Sequence, residues 1–312
     1  MVTRPDKELI KNTSAEKKEK LLRLATNTAL LVAISLVFIK AIAWFQTGSV
    51  AMLGSLIDSV LDSTAAVINL FFMRSALRPA DSDHRFGHGK AEPLGGMFQA
   101  MIIGASALFL LAESGRRMVN PTIPEQSELG IAVMIVSSLL VAALVLLQRS
   151  VIKRTGSILV AGDALHGLGD IAINMGVIFA LVVSTQFNAP WIDPLVACLL
   201  ALMLIRGAWG IGYSAIQQLM DQEFSNEERA HIRQLAKQHP QVNDTHDLRT
   251  RRAGMSAFIQ LHVEMDGNIS LIEAHRIGDE VEKIIMTEFP NTEVLIHQDP
   301  YGKEPVDTFL RN

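Results

Sequence analysis

The chain has 312 residues, 49% hydrophobic and only 19% charged, with a net charge of −4. Soluble domains carry about 25% charged residues, so this balance points to lipid contact and away from an ordinary soluble enzyme. The acidic excess argues against a broad nucleic-acid-binding surface. A single cysteine, Cys198, excludes a disulfide framework or a cysteine-rich metal site within one chain.

Residues 1–23 form a polar arm with seven Lys/Arg and four Asp/Glu. The arm lacks the short apolar run and small-residue cleavage site of a signal peptide, and reads as a cytoplasmic segment entering the first helix. Six apolar stretches follow, at 24–46, 50–73, 94–112, 129–148, 158–185 and 191–213. At about 1.5 Å per residue each covers roughly 30 Å of hydrocarbon. In the first, Lys40 can snorkel and Trp44 sits near an interface. The second and fifth contain carboxylates and a histidine, which weaken their apolar signal. Residues 24–220 are therefore expected to form a six-span transmembrane domain.

Loop charge sets the expected orientation. The arm, the 2–3 connection (Arg74, Arg78, Arg85, Lys90) and the 4–5 connection (Arg149, Lys153, Arg154) are basic, whereas the 1–2 connection at Thr47–Val50 and the QFNAP stretch before the sixth span are uncharged. The positive-inside rule places the basic segments and both termini in the cytoplasm. Arg116 and Arg117 run against the trend, with Glu113, Glu125 and Glu128 close by.

The charges inside the spans carry the chemistry. Asp58 and Asp62 are four apart and share one helix face; so do His166 and Asp170, with Asp163 three residues before the histidine. Ionisable groups in lipid are costly and normally face a protein interior or a water path. A divalent cation between the second and fifth spans resolves the repulsion, using three oxygen donors and one nitrogen in a set that can be tetrahedral. Such ligands suit zinc, with iron, manganese or cobalt also compatible. The small residues Gly54, Ser55, Ser59, Ser63, Gly162, Gly167 and Gly169 are expected to let these two helices approach. The bland alternative is a structural polar network or a proton path without metal.

A second cluster, Asp81, His84 and His88 with Asp83 as a spare, lies in the 2–3 loop, PADSDHRFGHGKAE, where Gly87 and Gly89 disfavour a regular helix. Its alternative is a flexible polar loop. Residues 221–305 read as a small α+β domain, in the order helix, strand, strand, helix, strand, with a tail at 306–312. Ser225 is an N-cap candidate with Glu227 and Glu228 in the first turn, and the helix ends near His239 and Pro240. Strands are expected over 245–252 and 256–265, the second alternating Ile259, Leu261 and Val263 with Gln260, His262 and Glu264. A helix over 270–288 carries Ile272, Ile277, Val281, Ile284 and Ile285 on its apolar side, and TEVLIHQDP forms the last strand. His246, His262, His275, His297 and Asp299 are candidates for one or two metal sites, with Asp299 a possible bridge. His231 and His239 read as solvent-facing.

The segments SLIDSVLDS, HRFGHGKAE, GDALHGLGD, HDLRTR and IHQDP together resemble the cation diffusion facilitator family, in particular its bacterial zinc and ferrous-iron efflux members. The likeness runs from about residue 20 to 300. It implies six transmembrane helices, a cytoplasmic ferredoxin-like or metallochaperone-like domain, a homodimer in the bacterial inner membrane, and exchange of a divalent metal for protons. By resemblance Asp58, Asp62, His166 and Asp170 form the transport site, Asp81, His84 and His88 the loop site with Asp81 and His88 the firmer pair, and His246, His262, His275, His297 and Asp299 the cytoplasmic sites, joined by Gln298. Lys90 and Asp221 match an ion pair where the two domains meet. His166 favours Zn2+ or cadmium over manganese, and Zn2+ serves as both transported and regulatory ion. The expected mechanism is alternating access, with protons displacing the metal on the outer side. The rivals are an exporter mainly of iron, cadmium or manganese, a non-transporting membrane metal sensor, and a membrane metallohydrolase, for which no motif is present.

Overall fold

The computed structural model describes residues 5–47, 50–119, 128–187 and 192–302. Sequence expectations for the uncharged 1–2 connection, for Glu125, for Asn188–Pro190 of the QFNAP stretch and for the tail at 306–312 fall outside these residues. The chain divides into two compact units, one of Lys18–Ile216 and one combining Met1–Lys17 with Gln217–Asn312.

Six long helices occupy the first part of the chain: α1 (Pro5–Thr47), α2 (Val50–Ala76), α3 (Ala91–Val119), α4 (Glu128–Thr155), α5 (Ile158–Phe187) and α6 (Ile192–Leu219). Five stretches of these, Glu16–Gln46, Ser55–Ala76, Ala91–Val119, Gly130–Thr155 and Pro194–Leu219, are long and apolar enough to cross a membrane. The described part of α5 is not among them, because Asp163, His166 and Asp170 dilute its apolar character. Large apolar side chains cover the outside of the helices: Phe38, Phe45, Phe71, Phe109, Leu139 and Trp209 are all exposed. So much apolar surface facing outward suits hydrocarbon and would drive association in water. The chain is a multi-pass membrane protein.

One expectation about the connections changes. Arg149, Lys153 and Arg154 stand on α4, which runs to Thr155, so the link to α5 is only Gly156 and Ser157. Gly156 takes the left-handed turn at φ 70°, the usual backbone of a helix C-terminal cap. Cations in the last turn of α4 also complement its dipole.

The small residues of α5 likewise serve other partners than expected. A Cβ at Gly162 would lie 3.0 Å from Gln99 Cγ on α3, one at Gly167 3.0 Å from Val141 Cγ1 on α4, and one at Gly169 2.9 Å from Leu204 Cδ2 on α6. These glycines therefore leave room for side chains of α3, α4 and α6 rather than of α2. Glu92, buried at the start of α3, accepts a hydrogen bond from the backbone N–H of Ile158 at 3.1 Å and so caps the first turn of α5.

The C-terminal unit contains α7 (Asn226–Ala236), β1 (Asp244–Ala253), β2 (Ser256–Met265), α8 (Leu271–Glu288) and β3 (Thr292–Pro300). Strands β1 and β2 form an antiparallel pair; β2 and β3 are parallel, joined by α8 as crossover. Ser225 caps α7 in a reciprocal box with Glu228. Ile259, Leu261 and Val263 of β2 pack with Ile232 of α7 and Ile277, Val281 and Ile285 of α8 in one core. The opposite face of the sheet is polar. The domain is α+β as expected. The ferredoxin-like β-α-β-β-α-β pattern has a strand ahead of its first helix, and none precedes α7 among the described residues.

Two residue assignments are corrected. Ile272 is 84% exposed, since it falls on the far side of α8 from Val281. His239 is buried, not solvent-facing, and its Nε2 lies 2.9 Å from Glu280 Oε2.

Candidate metal centre

Among the described residues, three groups of side chains each gather within metal-binding reach. The first lies inside the helical unit. His166 Nε2 on α5 stands 3.0 Å from Asp62 Oδ1 on α2 and 3.9 Å from Asp170 Oδ2 one turn along α5. Asp62, His166 and Asp170 line a cavity of about 50 Å³ together with Asp163, enough for more than one water molecule. Asp58, one turn before Asp62, lies outside this tight set. Asp163 is tied down by amides: Asn69 Nδ2 donates to its Oδ1 at 3.1 Å and Gln148 Nε2 to its Oδ2 at 2.5 Å. Lys40 Nζ donates to the Ser55 carbonyl of α2 at 3.2 Å. It places a cation near the carboxylate face of α2, a role its position in an apolar run did not reveal.

The second group closes the loop between α2 and α3. Asp81 Oδ1 accepts from the backbone N–H groups of His84 at 2.7 Å and Asp83 at 3.1 Å. The His84 amide in particular holds the Asp81 carboxyl below the usual carboxylate range. His84 Nδ1 lies 3.3 Å from Oδ1 and His88 Nε2 3.3 Å from Oδ2 of the same carboxylate. Gly87, at φ 77°, turns the chain so that His88 comes back toward Asp81. Asp83 and its side chain stay outside the group.

The third group, His246, His262 and Asp299, occupies the polar face of the sheet, with the more exposed His297 beside it. Register aligns His246 with His262 and His262 with His297, putting three imidazoles in one row across β1, β2 and β3. Adjacent ring centroids are 5.1 Å and 4.4 Å apart. Asp299 touches all three: its Oδ2 is 2.7 Å from His262 Nδ1 and 3.3 Å from His246 Nε2, and its Oδ1 is 3.3 Å from His297 Nε2. Both ring nitrogens of His246 are buried and face carboxylates without a hydrogen bond of good geometry, an arrangement that a bound cation would relieve. The donor set of imidazole and carboxylate fits a resident divalent ion such as zinc.

Two members of this surface escaped the sequence. Glu264 Oε1 lies 3.0 Å from His246 Nδ1, and Asp247 Oδ2 lies 3.7 Å from His262 Nε2. Strand alternation could have found Glu264, two residues after His262 on the same face. Asp247 was hidden by an irregularity in β1 between His246 and Arg249, where it adopts φ 43°. His275 stands apart on α8, 73% exposed, with Asp279 3.9 Å away. Gln298 points to the helix-covered face, its amide nitrogen 2.7 Å from where a Cβ of Gly278 would be. Asp221 lies 3.5 Å from the Arg251 guanidinium.

A helical bundle with clustered ionisable side chains, followed by a small α+β domain with histidines and carboxylates gathered on its sheet, defines a class of membrane cation carriers. Residues 27–220 match the family model for the cation efflux transmembrane domain, and residues 224–301 that for the cation efflux protein cytoplasmic domain. The chain belongs to the cation diffusion facilitator family and is a secondary transporter, not an enzyme. It is 44% identical over 283 residues to the cation-efflux pump FieF of Shewanella oneidensis, covering 91% of this chain and 95% of that one. Identity to the FieF pump of Salmonella paratyphi A is 38% over 286 residues, covering 92% and 95%. The metal-bound C-terminal domain of the CzcD transporter from Thermotoga maritima shares 28% identity over 26% of this chain and all of that one, with a TM-score of 0.25.

Proposed function

We propose that the protein exports a divalent metal, Zn2+ first among candidates, from the cytoplasm in exchange for protons, using six spans with α5 as the fifth. The observation that carries this reading is the convergence of Asp62, His166 and Asp170 from two helices on one small cavity. Asp58, on the same face of α2, completes the set of four when the two helices close on the ion. A buried imidazole with carboxylates binds a divalent cation in its deprotonated form and releases it when protonated. That chemistry couples metal release to proton entry, and rocking of the helices exposes the site to each side in turn.

The orientation follows from charge: the lysine-rich arm, Arg78, Arg85 and the α4 end face the cytoplasm, in the inner membrane. The histidine row on the sheet and the Asp81 loop group hold regulatory zinc in this reading. Bound zinc would neutralise the carboxylates there and favour the homodimer. Support comes from the convergence of three histidines on Asp299 and from the carboxylates that face both nitrogens of His246.

The test is zinc flux into sealed vesicles bearing the purified protein under a pH gradient. Flux that collapses with Asp58→Ala and with His166→Ala supports the exporter. Zinc binding without flux in the wild type would identify a membrane metal sensor instead. Competition with cadmium, ferrous iron and manganese in the same vesicles identifies the preferred cargo.

A further inference from the structure

One polar network of the helical unit contributes no ligand to the transport set. Asp163 of α5 accepts from Asn69 of α2 and from Gln148 of α4, and Asn69 Nδ2 also donates to Gln99 Oε1 of α3 at 3.3 Å. Four helices are joined by four side chains. Asn69, Gln99 and Gln148 are 3%, 0% and 1% exposed.

The network is poorly used as a source of stability. Asn69 Oδ1, Gln99 Nε2 and Gln148 Oε1 are all buried without a partner. Partly satisfied polar groups cost more in a low-dielectric interior than apolar side chains of the same volume. Elsewhere α5 packs against α3, α4 and α6 through its glycines, with a simpler polar contact from Asn174 Nδ2 to Ser138 Oγ of α4 at 3.1 Å. What the network does supply is position. Asp163 lies one turn before His166, on the wall of the same cavity. Its two oxygens are held from opposite sides by α2 and α4, which fixes the rotation of α5 about its own axis. That rotation sets whether His166 and Asp170 face Asp62. Gly162, with Gln99 Cγ 3.0 Å from the position of a Cβ, allows α3 to approach closely enough for Gln99 to join.

We propose that Asp163, clasped by Asn69 and Gln148 with Gln99 behind, is a positioning residue that holds α5 in the orientation binding the transported cation. This rests on the exporter reading of the Asp62, His166 and Asp170 site. Groups that orient metal ligands without touching the metal typically contribute about 10–100-fold in affinity.

The experiment measures zinc binding by the full-length protein, taking the His166-dependent part as the difference between each variant and the same variant carrying His166→Ala. Asp163→Ala is expected to weaken that part by about 10–100-fold. Asp163→Asn is expected to stay within about threefold of wild type, because its amide can accept from Asn69 and donate to the unpaired Gln148 Oε1. Gln148→Leu should cost an intermediate amount and add nothing to Asp163→Ala, and it carries the test if the alanine variant does not fold. Unchanged affinity in both Asp163→Ala and Gln148→Leu overturns the proposal. Equal damage from Asp163→Asn and Asp163→Ala also overturns it, since charge and not hydrogen-bonded position would then matter. A wild type with no His166-dependent zinc binding removes the exporter reading, and the positioning role with it.

Discussion

His166 Nε2 lies 3.0 Å from Asp62 Oδ1, joining α5 to α2 across 104 residues of sequence. Asp58 presents its carboxylate one turn earlier on the same face of α2 and stays outside the tight group. The two aspartates are therefore unequal in this state. Asp62→Asn is expected to reduce zinc affinity by about 100-fold or more, and Asp58→Asn by about tenfold, at the low end of the outer-shell range. Equilibrium zinc titration of the full-length variants checks the order; equal losses would mean that Asp58 and Asp62 hold the bound ion as equals.

The cytoplasmic row makes a contrasting pair. His262 is central in the register and touches Asp299, whereas His275 is on α8 and largely exposed. Zinc at a hundredfold excess over its Kd adds about 2.7 kcal/mol to the stability of the state it binds. The thermal shift of the full chain on adding zinc should shrink strongly in His262→Ala and little in His275→Ala. An equal reduction would assign His275 to the same site.

Packing around α5 predicts a cost at Gly167. An added Cβ meets Val141 Cγ1 at 3.0 Å and Val145 Cγ2 at 3.1 Å, both on side chains that are stiff at χ1. Gly167→Ala should destabilise the helical unit by about 1–3 kcal/mol. Val145→Ala should recover part of the loss, measured by the thermal midpoint in detergent.

An acid transition is expected at the start of α8. Arg276 holds the Glu273 carboxyl down at about 2, with Gln241 adding a hydrogen bond. Because the folded value lies below the unfolded one of about 4.3, the contribution is complete above that pH. It is lost as pH falls toward 2. The pair is exposed, so the effect is small. Hydrogen-exchange protection of the first turn of α8, corrected for intrinsic rates, should fall between pH 4.5 and 2.5 in the wild type. The change should flatten in Arg276→Ala.

The sequence by itself determined the helical stretches, the alternating strands and the type of ligand in each cluster. These follow from local rules: apolar runs long enough for hydrocarbon, period-two burial in β2, and carboxylates spaced four apart on a helix. It also grouped Asp58, Asp62, His166 and Asp170, because ionisable residues in lipid need each other; the structure gathers the last three and leaves Asp58 outside. Tertiary structure decided what depends on rotation and register. It set Gly162, Gly167 and Gly169 against α3, α4 and α6, turned Lys40 toward α2, buried His239 and turned Ile272 outward. It aligned His246, His262 and His297 and brought in Asp247 through an irregular strand. Spacing along a chain tells which residues share a face, but only packing against a neighbour tells which way that face points.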